Sequence, residues 1–372
     1  MESEKELNNK LDNIKNPGLK INHNFSNPFS SFLAKNWALL FLLVLIIVFS
    51  FTGERFFHLT NFQNILHIGT IYILLAAAET FVIITGGIDL SVGFVMGLSS
   101  VLSATIMRDM YAADFSPEVS ILVGGLTALI VCIIPGLING ILITKYRVPP
   151  FIATLGMGGI AIGTSLIMCE GFPVTFLPPN LTAIGNGYLF YILPGKAFSF
   201  FRVPEGVAGE ELKELIRIVP NSSIFILIII LALWHVLKNT SFGQHTYAIG
   251  GSMDAAVRSG IDVKKHLIVI YVLASFLSGL AGVFNVFQTG NGNYTNFTAM
   301  YELTAIAAVV IGGASLMGGK GSIFGSVIGI VLIRVIENGL QLSGVDPFYR
   351  FIAVGLVLTV AVVIDQSFPD LL

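Results

Sequence analysis

An apolar segment rich in glycine, residues 301–329, constrains this chain more than any other feature. It reads YELTAIAAVVIGGASLMGGKGSIFGSVIG and contains seven glycines. Inside a water-soluble helix each glycine costs about 1 kcal/mol relative to alanine. The pattern is therefore expected where helices pack closely, or where a helix breaks, inside a membrane. Gly321, Gly325 and Gly329 have the small-xxx-small spacing of packed membrane helices, and Gly318–Gly321 is expected to break the span.

The composition agrees with a chain that crosses a membrane. Hydrophobic residues make up 54% of the 372 residues and charged residues only 11%, with a mean hydropathy of +0.84. Soluble domains have about 25% charged residues. We predict an all-α, polytopic integral membrane protein of about ten transmembrane helices with broken or re-entrant segments. The predicted spans are Trp37–Phe51, His67–Thr85, Ser91–Met107, Val119–Thr144, Phe151–Met168, Ser223–Leu237, His266–Phe287, Leu303–Gly313, Ser322–Ile336 and Phe351–Ile364.

Positive charges set the predicted orientation. Residues 1–36 are polar, contain five lysines and lack the features of a secretory signal, so they are predicted to form a cytoplasmic tail. Lys145, Lys320 and the loop 238–265 then lie on the cytoplasmic side, in accord with the positive-inside rule. Residues 37–372 are predicted to form a single transmembrane domain with a long outer loop at 170–221. Both termini are expected in the cytoplasm.

Several classes of function lack their sequence signatures. A net charge of −2 without a basic face argues against a nucleic-acid partner. The GGKGS run at Gly318–Ser322 is not a phosphate-binding loop, because Ala314 replaces its first glycine and Gly321 replaces its Ser/Thr. The six histidines have no metal-ligand spacing, and Cys132 and Cys169 are expected to be packing thiols. We therefore expect no metal, no cofactor and no catalytic residue.

The loop 238–265 contains the signals of a short helix. Ser252 is expected to be its N-cap, Asp254 lies in its first turn, and Gly260 suits the position after its C-cap. Asp254 and Arg258 also have the favourable i, i+4 order. A helix of about two turns outside the membrane has no core of its own. It either packs on its own bundle or docks on a cytoplasmic partner.

Three segments of this chain carry a resemblance to a known family. They are ITGGIDLSVG at Ile84–Gly93, FGQHTYAIGGSMDAAVRSGIDV at Phe242–Val263 and YELTAIAAVVIGGASLMGGKGSIFG at Tyr301–Gly325. In this order and spacing they resemble the permease subunit of ribose/galactoside-type bacterial ABC importers, from about Ile65 to the end of the chain. The resemblance implies the ABC importer permease fold in the bacterial inner (plasma) membrane, in contact with lipid and paired as a homodimer.

The same resemblance implies protein partners and a docking element. Its expected partners are a separate ABC-type ATP-binding subunit and a periplasmic sugar-binding protein, which places the loop 170–221 in the periplasm. Gly250–Gly260 is then the coupling helix, which sits in a groove of the ATPase. The residues expected to couple to the ATPase are Gly250, Gly251, Ser252, Asp254, Ala255, Ala256, Arg258, Ser259 and Gly260. Among them Gly251, Ala255, Ala256 and Ser259 are expected to form a small-residue face.

Polar residues within the spans are candidates for a translocation path, because a neutral sugar favours amides, hydroxyls and aromatic rings. Glu79 lies in an apolar run at a cost of about 2.5–3.5 kcal/mol. It is a path residue, a structural hydrogen-bonding group or a residue at the level of the lipid headgroups. Asp89 follows Gly86 and Gly87. Either Asp89 or Ser91 is expected to cap the next helix, the alternative being a broken helix whose positive end faces the path.

Glu302 is expected just before a span, at the mouth of a vestibule. The remaining candidates, Asn139, Thr154, Asn285 and Phe287, are also ordinary helix-packing residues.

Two rival functions fit the sequence less well. An ion-coupled secondary transporter also uses broken, glycine-rich helices, but it usually needs buried ionisable pairs. Apart from Glu79, Arg334 and Glu337 the predicted spans contain almost none. A membrane-embedded enzyme would need a nucleophile–base or metal constellation, and none is evident. We predict a permease subunit of an ATP-driven monosaccharide importer, of the ribose or galactose/methyl-galactoside type, which catalyses no covalent chemistry itself.

Overall fold

The apolar runs of the sequence form helices in the order in which they are predicted. The computed structural model describes residues 37–346 except 205, 208, 210 and 295–299, together with scattered positions between 348 and 363. The helices are α1 Trp37–Thr52, α2 Leu59–Ile84, α3 Val92–Ala112, α4 Pro117–Val131, α5 Ile133–Thr144, α6 Pro150–Cys169, α7 Leu181–Asn186, α8 Glu211–Glu214, α9 Asn221–Asn239, α10 Ser241–Gly251, α11 Met253–Arg258, α12 Val263–Thr289, α13 Tyr301–Ile311 and α14 Ile323–Leu342.

Six helical segments of the described chain are long and apolar enough to cross a membrane. They are α2, α4 together with α5, α6, α9, α12 and α14, whereas α1 and α13 are shorter apolar helices. Each of the first nine predicted spans thus overlaps a helix, but the count of ten transmembrane helices is not confirmed. Half of the positions in the tenth predicted span, Phe351–Ile364, lie outside the described residues.

Helix α3 has 21 residues but is less apolar than the six candidate spans. Its serines are tolerated because neighbouring helices bury them and supply hydrogen-bond partners. Ser99 Oγ, for example, donates to the Gly279 carbonyl of α12 at 2.6 Å. Helices α2 and α12 are buried along most of their length, while α4, α6 and α9 expose apolar side chains such as Leu122, Ile160 and Ile228. These exposed faces suit contact with lipid.

Two glycines of α14 allow close packing against α13. Gly325 lies directly against the Gly312 carbonyl and Gly329 against the Ala308 carbonyl, so a side chain at either position would meet backbone. Gly321 is the third member of the predicted packing repeat, but it lies before α14 begins. The repeat within the helix therefore comprises two glycines, because the break before α14 removes Gly321 from it.

Replacing Ser322 with alanine is expected to destabilise the start of α14. Ser322 is the N-cap residue, and its hydroxyl accepts a hydrogen bond from Gly325 N at 3.0 Å. Loss of such a cap costs about 1 kcal/mol, which should lower the midpoint of thermal unfolding in detergent by a few degrees or less. Ser322→Asp keeps an acceptor and should unfold close to wild type. An alanine variant as stable as wild type would contradict the capping role.

The loop predicted at 170–221 contains a small sheet that the all-α prediction missed. Strands β1 (Tyr188–Leu193), β2 (Ala197–Phe200) and β3 (Ile216–Pro220) pair antiparallel in the order β2-β1-β3. Strand β1 is rich in aromatic and β-branched residues, which favour strands, and it buries Tyr191 and Leu193 against Leu215. Gln63 Nε2 donates to the Arg217 carbonyl at 2.9 Å and thereby ties the sheet to α2. The fold is thus mostly helical with one three-stranded sheet in the described residues.

Candidate functional site

The first break in the helical bundle lies between α2 and α3. Gly86 N donates to the Ile83 carbonyl at 2.8 Å, and Gly87 N donates to the Val82 carbonyl at 3.1 Å. Gly86 has a φ of +79°, a conformation that glycine adopts without strain. A Cβ on Gly87 would lie 2.6 Å from the Tyr271 hydroxyl of α12. The glycine pair therefore permits both a tight end to α2 and a close approach to α12.

Three of the residues predicted for the path hold this break in place. Asp89 Oδ1 accepts hydrogen bonds from both the backbone N and the hydroxyl of Ser91. Asn139 Nδ2 of α5 donates to Ser91 Oγ at 3.1 Å, and Thr154 Oγ1 of α6 accepts from Leu90 N at 3.0 Å. Ser91 is the N-cap residue of α3 and its side chain makes no capping hydrogen bond, so Asp89 holds the turn just before the helix and does not cap an N–H group within it. These bonds also show why polar side chains on α5 and α6 point toward the start of α3.

A group of buried oxygen atoms surrounds the same break. Glu79, Asp89, Asn139 and Glu302, which we name the acceptor cluster, each have at least one buried side-chain oxygen without a hydrogen-bond partner. Glu79 lies beside the Asp89 backbone amide and within electrostatic range of the Asp89 and Glu302 carboxyls, but neither of its oxygens reaches hydrogen-bond geometry. Tyr271 lies within electrostatic range of Glu79 and Asp89.

The structure corrects the prediction for Glu302. This residue lies in the first turn of α13 and is only 7% exposed, so it is not at the mouth of a vestibule before a span. The backbone of Gly93 on α3 makes room for it, because a Cβ at Gly93 would overlap the Glu302 carboxyl. The break between α2 and α3 and the start of α13 are therefore packed together.

The remaining predicted path residues lie elsewhere, near the end of α12 that is remote from this break. Asn285 Oδ1 accepts a hydrogen bond from Ser100 Oγ of α3 at 3.3 Å. Phe287 packs edge-to-face with Phe284, and both line a mostly apolar groove of about 470 Å³ between α4, α7, α9 and α12. The structure therefore divides the predicted path residues between two separate places.

Arg334 and Glu337, the ionisable residues noted on the last described helix, form one ion pair. Their closest N–O distance is 2.8 Å along α14. The Arg334 guanidinium also lies 3.7 Å from the centre of the Tyr72 ring, and the Tyr72 and Tyr301 rings are 4.6 Å apart. A cation stacked on an aromatic ring is stabilised by the ring quadrupole. The pair is thus held within the bundle by α2 and α13.

The second break, between α13 and α14, meets the first break largely through backbone atoms. Gly319 N donates to the Ile84 carbonyl at 2.8 Å. Gly250, at the end of α10, lies directly against both of these groups, and Gly318 lies against the Gly250 carbonyl and Gly86 N. This meeting point, the glycine junction, comprises Gly86, Gly250, Gly318 and Gly319. Gly250, predicted to contact an ATPase, therefore packs within its own chain.

The segment after the glycine junction is the helix predicted from its caps. Ser252 Oγ accepts a hydrogen bond from Ala255 N at 3.3 Å, Ser259 is the C-cap, and Gly260 follows it with a φ of +83°. Helix α11 has six residues, fewer than the two turns expected. Tyr247 of α10 donates its hydroxyl hydrogen to the Gly321 carbonyl at 2.8 Å. The base of α11 is thereby tied to the second break as well.

One face of α11 is buried and the rest is exposed. Ala256 packs with Ile249, Val263 and Leu267, so it is not part of an exposed small-residue face. Met253 and Val257 are 48% and 57% exposed. Seven of the predicted coupling residues are also exposed, namely Gly251, Ser252, Asp254, Ala255, Arg258, Ser259 and Gly260. The exposed surface therefore includes two apolar side chains that sequence reasoning did not single out.

Sequence reasoning also missed Tyr271 and Tyr247. Tyr271 lies in an apolar span and Tyr247 in a polar loop, and neither belongs to a recognisable motif. A tyrosine within a span is a weak signal, because its ring alone accounts for its presence there. Their roles follow from contacts with residues more than 70 positions away in the chain.

Comparisons with known proteins find relatives that extend over most of this chain. The family described as branched-chain amino acid transport system / permease component matches residues 61–363. The ribose import permease protein RbsC of Bacillus subtilis (strain 168) is 37% identical over 341 residues, which cover 91% of this chain and 95% of that protein. RbsC of Escherichia coli (strain K12) is 35% identical over 337 residues, covering 91% and 95%.

A third relative is named for a different sugar. The galactose/methyl galactoside import permease protein MglC of Salmonella typhimurium (strain LT2) is 32% identical over 345 residues, which cover 91% of this chain and 96% of that protein. No solved structure is significantly similar to this chain. Because both the family match and these relatives extend over most of the sequence, the chain belongs to the family of transport-system permease components, which are transport subunits and not enzymes.

Proposed function

We propose that this chain is the membrane-spanning permease subunit of an ATP-driven importer for a monosaccharide of the ribose or galactose/methyl-galactoside type. The observation that carries the proposal is the attachment of α11. This short exposed helix follows directly on the glycine junction, where the ends of α2 and α10 meet the break before α14. The names of the relatives, at 32–37% identity over nine-tenths of the chain, support a sugar as the substrate.

The importer is a multi-pass protein of the bacterial inner membrane. In this proposal two copies of the chain form the membrane-embedded part, surrounded by lipid, with residues 37–372 as one transmembrane domain. Residues 1–36, the carboxyl terminus and the loop 238–265 lie in the cytoplasm with the ATP-binding subunits. The loop 170–221 lies in the periplasm, where the sugar-binding protein docks. The positive charges around α11, including Arg258, Lys264 and Lys265, support this orientation.

The exposed surface of α11 has the chemistry of a small docking element. Met253 and Val257 offer apolar contact at its centre, and Arg258 offers a charge-assisted hydrogen bond at its edge. Ala255 and Gly251 allow a groove of the ATPase to approach the backbone, because a Cβ at Gly251 would have open space around it. We therefore place the coupling contact on α11 and the loop immediately before it.

The glycine junction transmits this contact to the membrane helices. Gly250 touches the Ile84 carbonyl and Gly319 N without an intervening side chain, so a displacement of α11 acts directly on both breaks. Close backbone packing resists compression, which favours movement of whole helices over local rearrangement. Nucleotide-driven closure of the ATPase would then shift α2, α13 and α14 together between two states of the path.

The proposal is tested by extracting the chain from its native membrane in mild detergent. We expect an ATPase to remain bound, and we expect ATP hydrolysis by the complex to rise with a sugar-loaded binding protein. Ribose, galactose and methyl galactoside are compared with leucine as a control for an amino-acid substrate. A chain that purifies alone and moves solute into liposomes under an ion gradient would instead be an ion-coupled secondary transporter, and would overturn the proposal.

A further inference from the structure

The acceptor cluster contains buried oxygen atoms that no donor in the described chain serves. The unpartnered atoms are both carboxyl oxygens of Glu79, Asp89 Oδ2, Asn139 Oδ1 and Glu302 Oε2. All four residues are less than a tenth exposed. Burying a polar group without a hydrogen-bond partner is unfavourable, because the group loses its bonds to water. The amide oxygen of Asn139 is informative because it is not an acid, yet it too faces this region without a donor.

The cluster also brings three carboxyl groups together without a cation to balance their charge. In the part of the chain that the structure describes, the ion pairs involve neither Glu79, Asp89 nor Glu302. A carboxylate removed from water without a partner is so costly that it takes up a proton instead. The groups that face the cluster from the surrounding elements are Ser91 and Asp89 at the break, Asn139 of α5, Thr154 of α6, Tyr271 of α12 and Glu302 of α13, none of them cationic.

The packing of the cluster limits what can bind there. A Cβ at Gly93 would overlap the Glu302 carboxyl, and a Cβ at Gly87 would lie 2.6 Å from the Tyr271 hydroxyl. The Glu302 carboxyl and the Tyr271 hydroxyl are thus packed directly against the backbone at this break. The described residues also contain no group of three or more His, Cys, Asp or Glu side chains arranged to hold a metal ion. A proton needs no cavity and supplies the missing donor.

We propose that the acceptor cluster is a proton-binding site, in which Glu79 is held as a neutral carboxylic acid at neutral pH. The proton comes from water and adds to one carboxyl oxygen of Glu79, and no other bond changes. The site follows from the packing of this chain alone and does not depend on the proposed transport function.

A cavity gives the site a route to solvent. A space of about 540 Å³ lies between α11, the start of α12 and the loop between α5 and α6, with Gly87 and Tyr271 in its wall. Tyr271 also stands within electrostatic range of Glu79 and Asp89. Met253 and Val257 of α11 also line this cavity. Proton exchange therefore takes place past Tyr271, at the end of the bundle that carries α11.

Infrared spectroscopy tests the proposal directly. The purified full-length chain in detergent, at mildly alkaline pH, is expected to show the C=O stretching band of a protonated carboxylic acid, with the small shift that exchange into D2O produces. Glu79→Gln should remove a large part of that band. Glu54→Gln is the matched control, because Glu54 is exposed to solvent, and it should leave the band unchanged. A wild-type protein without the band, or a band that survives Glu79→Gln, would overturn the proposal.

Thermal stability provides an independent readout. A site that holds a proton only in the folded state makes stability fall as pH rises, because the unfolded state then binds fewer protons than the folded one. Glutamine resembles the neutral acid, so Glu79→Gln is expected to fold and to show a flatter dependence of stability on pH. A Glu79→Gln variant that fails to fold, or that keeps the wild-type pH dependence, would contradict a neutral Glu79.

Discussion

Replacing Gly329 with valine is expected to prevent α13 and α14 from packing, and so to abolish the folded permease. A Cβ at this position would overlap the Ala308 carbonyl and lie against the Ala308 Cα. Backbone cannot rotate out of the way as a side chain can, so the two helices would have to separate. Overpacking a well-filled core commonly costs about 1–3 kcal/mol, and a clash with backbone costs more. Against a total stability of about 5–15 kcal/mol this loss is severe.

The measurement is the yield and thermal stability of the detergent-purified variant on a sizing column. Gly159→Val on α6 is the matched control, since a Cβ at Gly159 would meet nothing within 4 Å. Valine favours a helix over glycine by a few tenths of a kcal/mol, so the control should be at least as stable as wild type. A Gly329→Val protein with normal yield and wild-type stability would show that the two helices do not pack through this glycine.

The contrast between these two glycines shows what local sequence can predict. Both lie in apolar helices within small-residue patterns, and neither position looks different in the sequence. Only the structure shows that Gly329 faces Ala308 and that Gly159 faces open space. Helix ends were easier to predict, because capping acts within four residues of the chain. The caps at Ser252 and Gly260 and the breaks at the glycine pairs illustrate this.

Long-range contacts account for most of what sequence reasoning did not anticipate. Gly250 was assigned to a partner surface, but it meets Ile84 and Gly319, which lie far from it in sequence. Ala255 and Ala256 are neighbours in the sequence, but consecutive residues of a helix are about 100° apart around its axis. Ala255 is therefore exposed and Ala256 is buried. The sheet was missed because its strands are short and its pairing brings Phe190 together with Phe200 and Ile218 across turns.

The acceptor cluster could not be predicted either, because its members are far apart in the sequence. Glu79 in an apolar run was expected to face protein or water. The sequence could not show that Asp89 and Glu302 lie near it, since Glu302 is more than 200 residues away along the chain. The two oxygens of the Asp89 carboxyl have different surroundings. One oxygen holds the start of α3, and the other remains without a partner.

Replacing Ala255 with phenylalanine is expected to uncouple ATP hydrolysis from transport while leaving the permease folded. Ala255 is exposed on α11, so a larger side chain there extends into solvent and not into the bundle. If α11 seats in a groove of the ATPase, the phenyl ring would hold the two surfaces apart. We expect sugar-stimulated ATP hydrolysis by the reconstituted complex to fall at least about tenfold, which corresponds to about 1.4 kcal/mol of lost docking energy.

Two further variants separate docking from folding. Gln244→Phe places the same ring at another exposed position of the same loop, on α10, and should leave stimulated hydrolysis unchanged. Ala256→Phe places it in the buried cluster with Ile249, Val263 and Leu267, and should lower thermal stability before any partner is added. Full sugar-stimulated hydrolysis and uptake in Ala255→Phe would remove α11 from the coupling contact. The ATPase would then have to contact a different surface of the permease.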